Sequence, residues 1–173
     1  MLKPLGMTAS ARNTSMNVFR KWFDRYDVAH WAPLPVRLII GYGFLEHGIA
    51  KLQKGPAHFV DIVHAIGTPL PHLMAWLTIA VEVIGGAAMM LGAFVTLLSV
   101  PMAIVLLMAI FTVHIQFGFT SIKLMAVTAD GPKFGPPGVE TDLLYLAGLA
   151  SLVMSGPGPL AIDRWIAKRR QKG

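Results

Sequence analysis

Glu46, His47 and Lys51 lie within two helical turns of one another in the apolar stretch RLIIGYGFLEHGIAKL, Glu82 stands in the middle of a second such stretch, and His114 and Gln116 close a third. Charged and protonatable side chains are expensive in hydrocarbon and face a protein interior or a wet cavity there, so these positions are expected to carry function. The chemistry they offer is proton exchange and hydrogen bonding, since an imidazole titrates near neutral pH and a carboxylate can hold or pass on a proton. An unpaired charge at the depth of Glu82 costs roughly 2.5–3.5 kcal/mol even on lenient insertion scales, which predicts that it is paired or protonated. His114 and Gln116 are about 200° apart on an ideal helix, so both cannot point at the same neighbour.

The elements that must position these groups are four apolar stretches, Pro35–Leu52, His72–Phe94, Thr96–Phe119 and Val139–Ser155. Each approaches the ~20 residues with which a helix crosses a bilayer. With 54% hydrophobic and 14% charged residues, the 173-residue chain is too apolar for an ordinary soluble domain. The predicted fold class is all-α: a polytopic membrane protein, an antiparallel four-helix transmembrane bundle with an N-terminal amphipathic interfacial helix. Residues 1–33 form a basic N-terminal segment whose Ser15–Trp31 stretch has helical periodicity, residues 34–165 the membrane domain, and residues 166–173 a basic tail. Arg12, Arg20, Lys21 and Arg25 precede the first span, and Arg164, Lys168, Arg169, Arg170 and Lys172 come after the last. That bias predicts both termini inside, in the cytoplasmic membrane, and makes the first span an uncleaved anchor. It also assigns the net charge of +6 to anionic lipid heads rather than to nucleic acid.

The second and third spans are expected to form a tight cytoplasmic hairpin, with a kink at Pro101. The connections Gln53–Pro71 and Thr120–Gly138 are expected outside, and the segment Asp130–Gly138 is too rich in Pro and Gly for a helix and reads as a loop over the bundle mouth. On the first span Leu38, Leu45, Ile49 and Leu52 share a lipid-suited side, while Arg37, Gly41, Gly43, His47, Gly48 and Lys51 spread over the other, with Glu46 at its edge. On the second, Glu82, Gly85, Gly86, Met89, Gly92 and Ala93 share one helical face. By depth, Glu46, His47, Lys51, His114, Gln116, Glu140 and Asp142 fall in one outer layer, whereas Arg37 lies near the inner surface and is expected to snorkel or cap. Tyr145 is read either as a hydrogen-bonding group inside the bundle or as an interfacial aromatic.

Several function classes are excluded. The chain has no cysteine, so thiol–disulfide exchange is closed to it. No HExxH or other ligand spacing marks a metal site, and no serine-nucleophile or phosphate-loop signature occurs.

Taken together, Arg37, Gly41, Phe44, His47, Gly48 and Lys51, then Glu82 with Gly85, Gly86 and Gly92 in VEVIGGAAMMLG, then His114, Glu140 and the run GPGPLAID ending at Asp163, resemble the DoxX family of small four-helix membrane proteins. The resemblance covers about Leu34 to Trp165. It implies a cytoplasmic-membrane protein whose relatives include the membrane subunit of a thiosulfate:quinone oxidoreductase. On that basis the chain is expected to be a membrane subunit of a redox or respiratory assembly, with a quinone as a non-covalent ligand and a protein partner that supplies electrons. Glu46, His47, Glu82 and His114 are the candidate catalytic groups, and His47, Lys51, His114, Gln116 and Tyr145 the candidate head-group contacts. Arg37, Gly41, Gly48, Gly85, Gly92, Glu140 and Asp163 belong to the motif frame. Alternatives from other classes are a proton-coupled transporter using Glu82 and a structural helper whose charges form internal pairs. A homo-oligomer is compatible with each.

Overall fold

The computed structural model describes residues 28–171. The amphipathic helix expected over Ser15–Trp31 lies outside that range except for its last turn, α1 (Val28–Trp31). Proline then sets the helix starts. Pro33, Pro56 and Pro71 each open a helix, where a missing N–H costs nothing and the fixed φ suits the first turn. These helices are α2 (Pro33–Lys54), α3 (Pro56–Ala65) and α4 (Pro71–Leu91). After the turn at Gly92, α5 covers Val95–Phe117, and α6 (Glu140–Ser155) and α7 (Ile162–Arg170) complete the set.

Four of these helices share one core. Ile40 and Phe44 of α2, Met89 of α4, Val95, Met102 and Leu106 of α5, and Leu149 and Leu152 of α6 form a single buried cluster. Neighbours run antiparallel: Gly41 of α2 meets Gly86 and Met90 of α4, while Gly48, seven residues on, meets Glu82 and Val83. The α2–α4 contact is backbone against backbone. A Cβ on Gly41 would stand 2.7 Å from the Gly86 carbonyl oxygen, and one on Gly86 would stand 2.7 Å from that of Gly41. Small residues permit this approach, which brings α2 close enough for its polar side chains to reach α4.

Outward faces are apolar. Leu97, Ile84 and Phe111 are 69%, 68% and 67% exposed, a display that water-facing monomers rarely make over so wide a surface. α4 and α5 are each long and apolar enough to cross a membrane. Polar side chains within the helices bond to their own backbone: Thr78 donates to the Met74 carbonyl, Ser99 to Val95 and Thr112 to Met108.

Two expectations are corrected, the all-α class and the loop over Asp130–Gly138. The chain is mostly helical but not all-α, because β1 (Leu124–Thr128) and β2 (Gly131–Phe134) pair antiparallel in the connection after α5. Ala129-Asp130 makes the turn, Gly131 opens β2 at φ 114°, and the Val and Phe around it suit strands better than a Pro/Gly-rich loop. The connection Gln53–Pro71 contains α3, whose Val60 and Val63 bury against Ala75 of α4. Beyond the turn after Ser155, residues Ile162–Arg170 form α7. Around Pro101 the helix α5 continues without interruption.

Candidate functional site

The two ends of the helical assembly differ in kind. At one end Arg37, 1% exposed, donates to the carbonyls of Pro157, Pro159 and Leu160 at 2.6, 3.5 and 3.4 Å. Asp163 accepts from the Phe94 and Val95 amides at 2.7 and 2.9 Å, satisfying the first free donors of α5. The Asp163 amide in turn donates to the Gly92 carbonyl at 3.0 Å. Gly92, at φ 70°, sits so near Arg37 and Ala161 that a side chain has no room. This end is a clasp: Arg37 caps rather than snorkels, and the GPGPLAID run closes over the α4–α5 turn.

The opposite end holds a cavity of about 570 Å³, lined by α2, α3, α4, α5 and α6. Lys51 donates to both carboxylate oxygens of Glu82 at 2.7 and 2.6 Å. Glu82 is 5% exposed, so the pair answers the cost of its burial. The ammonium also lies 4.8 Å from the centre of the Phe59 ring, a cation–π contact supplied by α3. Across α5 and α6, His114 Nδ1 lies 2.5 Å from Asp142 Oδ2. Asp142 is 7% exposed. Both pairs line the same cavity, together with His47 and Tyr145, while most of the remaining wall is aliphatic or aromatic.

The local backbone explains the aim of two of these groups. Glu82 and His114 each lie in a π-helical turn, Val81–Gly85 in α4 and Ile110–His114 in α5. An extra residue in a turn shifts the register of the rest of the helix, and such turns recur at functional sites because they redirect side chains. Tyr145 stands over Gly43, where a Cβ would collide with the phenol, and makes an edge contact with Phe44 at 6.0 Å between ring centres.

Of the residues singled out in the sequence, the cavity gathers His47, Lys51, Glu82, His114 and Tyr145. Glu46 and Gln116 are exposed and do not line it. Glu46 and Lys51 are five residues apart, about 140° around the helix, whereas His47 and Lys51 are four apart and share a face. Gln116 donates to the Val113 carbonyl at 3.0 Å. Glu140 accepts from the Ser121 amide at 2.9 Å and so ties the hairpin connection to the start of α6. Gly85 is buried, but a Cβ there would meet only ordinary contacts at 3.9 Å. Sequence reasoning placed Asp142 at the right depth without making it a site residue, and it missed Phe59 entirely. The signal for Asp142 was its position in the first turn of the last span, opposite the end of the span that carries His114.

A model of the DoxX family matches residues 32–115, the stretch from the start of α2 through His114. An uncharacterised membrane protein of Mycobacterium tuberculosis is 32% identical over 142 residues, covering 78% of this chain and 80% of the relative. This chain belongs to the DoxX family. A second DoxX-type relative, named "Putative oxidoreductase CatD" in Bacillus subtilis, is 29% identical over 140 residues, 81% of this chain and 90% of its own. An uncharacterised protein of Haemophilus influenzae is 26% identical over 136 residues, 78% and 90% of the two chains. No solved structure matches. The family assignment and the two apolar helices make the chain a membrane protein; the matched stretch carries Lys51, Glu82 and His114 but stops short of Asp142.

Proposed function

We propose that this DoxX-family chain is the membrane subunit of a redox assembly, and that its cavity binds a quinone-type head group between the Lys51–Glu82 and His114–Asp142 pairs. The observation that carries the reading is that two acid–base pairs, each with a buried carboxylate, line one largely apolar cavity. About 570 Å³ is within the usual range of small-molecule sites, and an apolar wall with a few convergent polar groups suits a flat ring bearing two carbonyls. A bound quinone supplies two oxygens that take up protons as electrons arrive from a partner protein. Lys51 and the His114 imidazole would donate hydrogen bonds at those oxygens, and Glu82 and Asp142 would hold each donor in place. Phe59, Phe44 and the aliphatic wall keep water from the ring. The name of the Bacillus subtilis relative supports a redox role.

In this reading α2, α4, α5 and α6 all cross the cytoplasmic membrane, with both termini inside and the cavity in the outer half. Binding of a short-chain quinone to purified protein in lipid nanodiscs, monitored by quenching of intrinsic fluorescence, tests it. Glu82→Gln and His114→Ala should each weaken binding at least tenfold; unchanged affinity in both ends the reading.

The internal pairing of Lys51 with Glu82 also favours a second reading, a structural helper whose charges serve only one another. The reversed pair Lys51→Glu with Glu82→Lys separates the two. A helper regains its stability and loses nothing else, whereas a quinone site regains stability without regaining ligand affinity.

A further inference from the structure

The cavity is not sealed. α4 and α5 are joined closely through the turn at Gly92, yet the Pro71–Ala80 half of α4 makes almost no contact with α5, so the two helices part toward the end that carries the ion pairs. Leu77 of α4 and Ile104 and Met108 of α5 line the cavity and are nonetheless 49%, 55% and 46% exposed. By the same test Ile62 and Ile66 of α3, His47 and Thr141 also border openings, and the opening between α4 and α5 is the one bounded by Leu77, Ile104 and Met108. All three are apolar, and they belong to the two helices whose length and composition suit a membrane crossing. Ile104 is the tenth of the 23 residues Val95–Phe117, which at 1.5 Å of rise per residue puts it about 14 Å from the nearer end of α5. In a helix that crosses a bilayer, that depth is hydrocarbon, not water.

We infer that the cavity fills laterally from the bilayer, through the gap between α4 and α5. Its ligand is a lipophile whose polar head meets the ion pairs while an apolar chain lies in the gap against Leu77, Ile104 and Met108. The head-group chemistry rests on the quinone reading above; the lateral gap does not.

The chain contains no cysteine, so Leu77→Cys with Ile104→Cys can be bridged by a reducible bifunctional thiol reagent, closing the gap without touching either ion pair. Two benzoquinones with the same head group, one bearing a long isoprenoid chain and one bearing none, are then titrated into the protein in nanodiscs before bridging, after bridging and after reduction. Bridging should weaken the chain-bearing quinone at least tenfold, with recovery on reduction, and should affect the chainless one, which needs the gap for entry but leaves no chain in it, no more strongly. An unchanged chain-bearing quinone, or a stronger effect on the chainless one, overturns the inference. Should neither quinone bind the unbridged protein, the head-group reading fails and the gap is decided by a spin label on Ile104→Cys. Faster collision with dissolved oxygen than with a water-soluble nickel chelate upholds a lipid-facing mouth, and the reverse order overturns it.

Discussion

The Lys51–Glu82 pair shows most directly how this chain tolerates charge inside an apolar body. Taking an ammonium and a carboxylate out of water costs several kcal/mol each, and only their two short hydrogen bonds and the Phe59 ring offset it. Removing one partner therefore hurts more than removing both. Lys51→Met should lower unfolding stability by about 3 kcal/mol, whereas Lys51→Met with Glu82→Met should recover most of that loss; thermal unfolding in one detergent compares them. Asp163 acts differently, since it supplies acceptors to two amides at the start of α5 from 68 or more residues away. Asp163→Ala should cost about 1–2 kcal/mol, the range of a lost helix cap, and Asp163→Asn less. At this scale the sequence was informative about which groups are buried, because a charge amid apolar residues is conspicuous. It set His114 and Asp142 at one depth but did not pair them, because depth alone does not say which of the groups in a layer touch.

At the scale of elements, glycine spacing decides which helices touch. Gly41 and Gly86 bring α2 and α4 into backbone contact, and that closeness lets Lys51 reach Glu82. Gly86→Val should push the helices apart and cost about 1–3 kcal/mol, with a loss of ligand affinity larger than the loss of stability alone explains; binding measured at a temperature where the variant is fully folded checks it. The hairpin β1–β2 is the opposite case. Its strands pair with each other and expose Met125, Val127 and Phe134, and it meets the helices mainly through the Ser121–Glu140 connection. Replacing residues 124–134 by a short Gly/Ser linker should leave the helical circular dichroism and the melting temperature nearly unchanged. Helix starts and ends were legible to within a few residues, because proline, hydrophobic runs and Gly92 mark them locally. The helix α3 and the hairpin were not, because both lie in connections whose short apolar patterns acquire meaning only once Ala75 or the facing strand is in place.

For the whole molecule, the antiparallel arrangement gathers polar groups into two layers with different tasks. Arg37, Gly92 and Asp163 clasp one end, and the cavity with its two ion pairs occupies the other. Depth along each helix, read from the sequence, anticipated this division, and the face of α4 and its following turn that carries Glu82, Gly85, Gly86, Met89, Gly92 and Ala93 is buried as its spacing implies; which groups pair across the cavity was not legible, since His114 and Asp142 come from separate elements. A photoreactive quinone bound in nanodiscs and mapped by mass spectrometry locates the ligand without disturbing any residue. Label should fall on the peptides that contain residues 44–51, 101–114 and 141–145 and should be displaced by excess unlabelled quinone. Label confined to the hairpin, spread evenly over the outward faces of α4 and α5, or insensitive to competitor would contradict a quinone site between the two ion pairs.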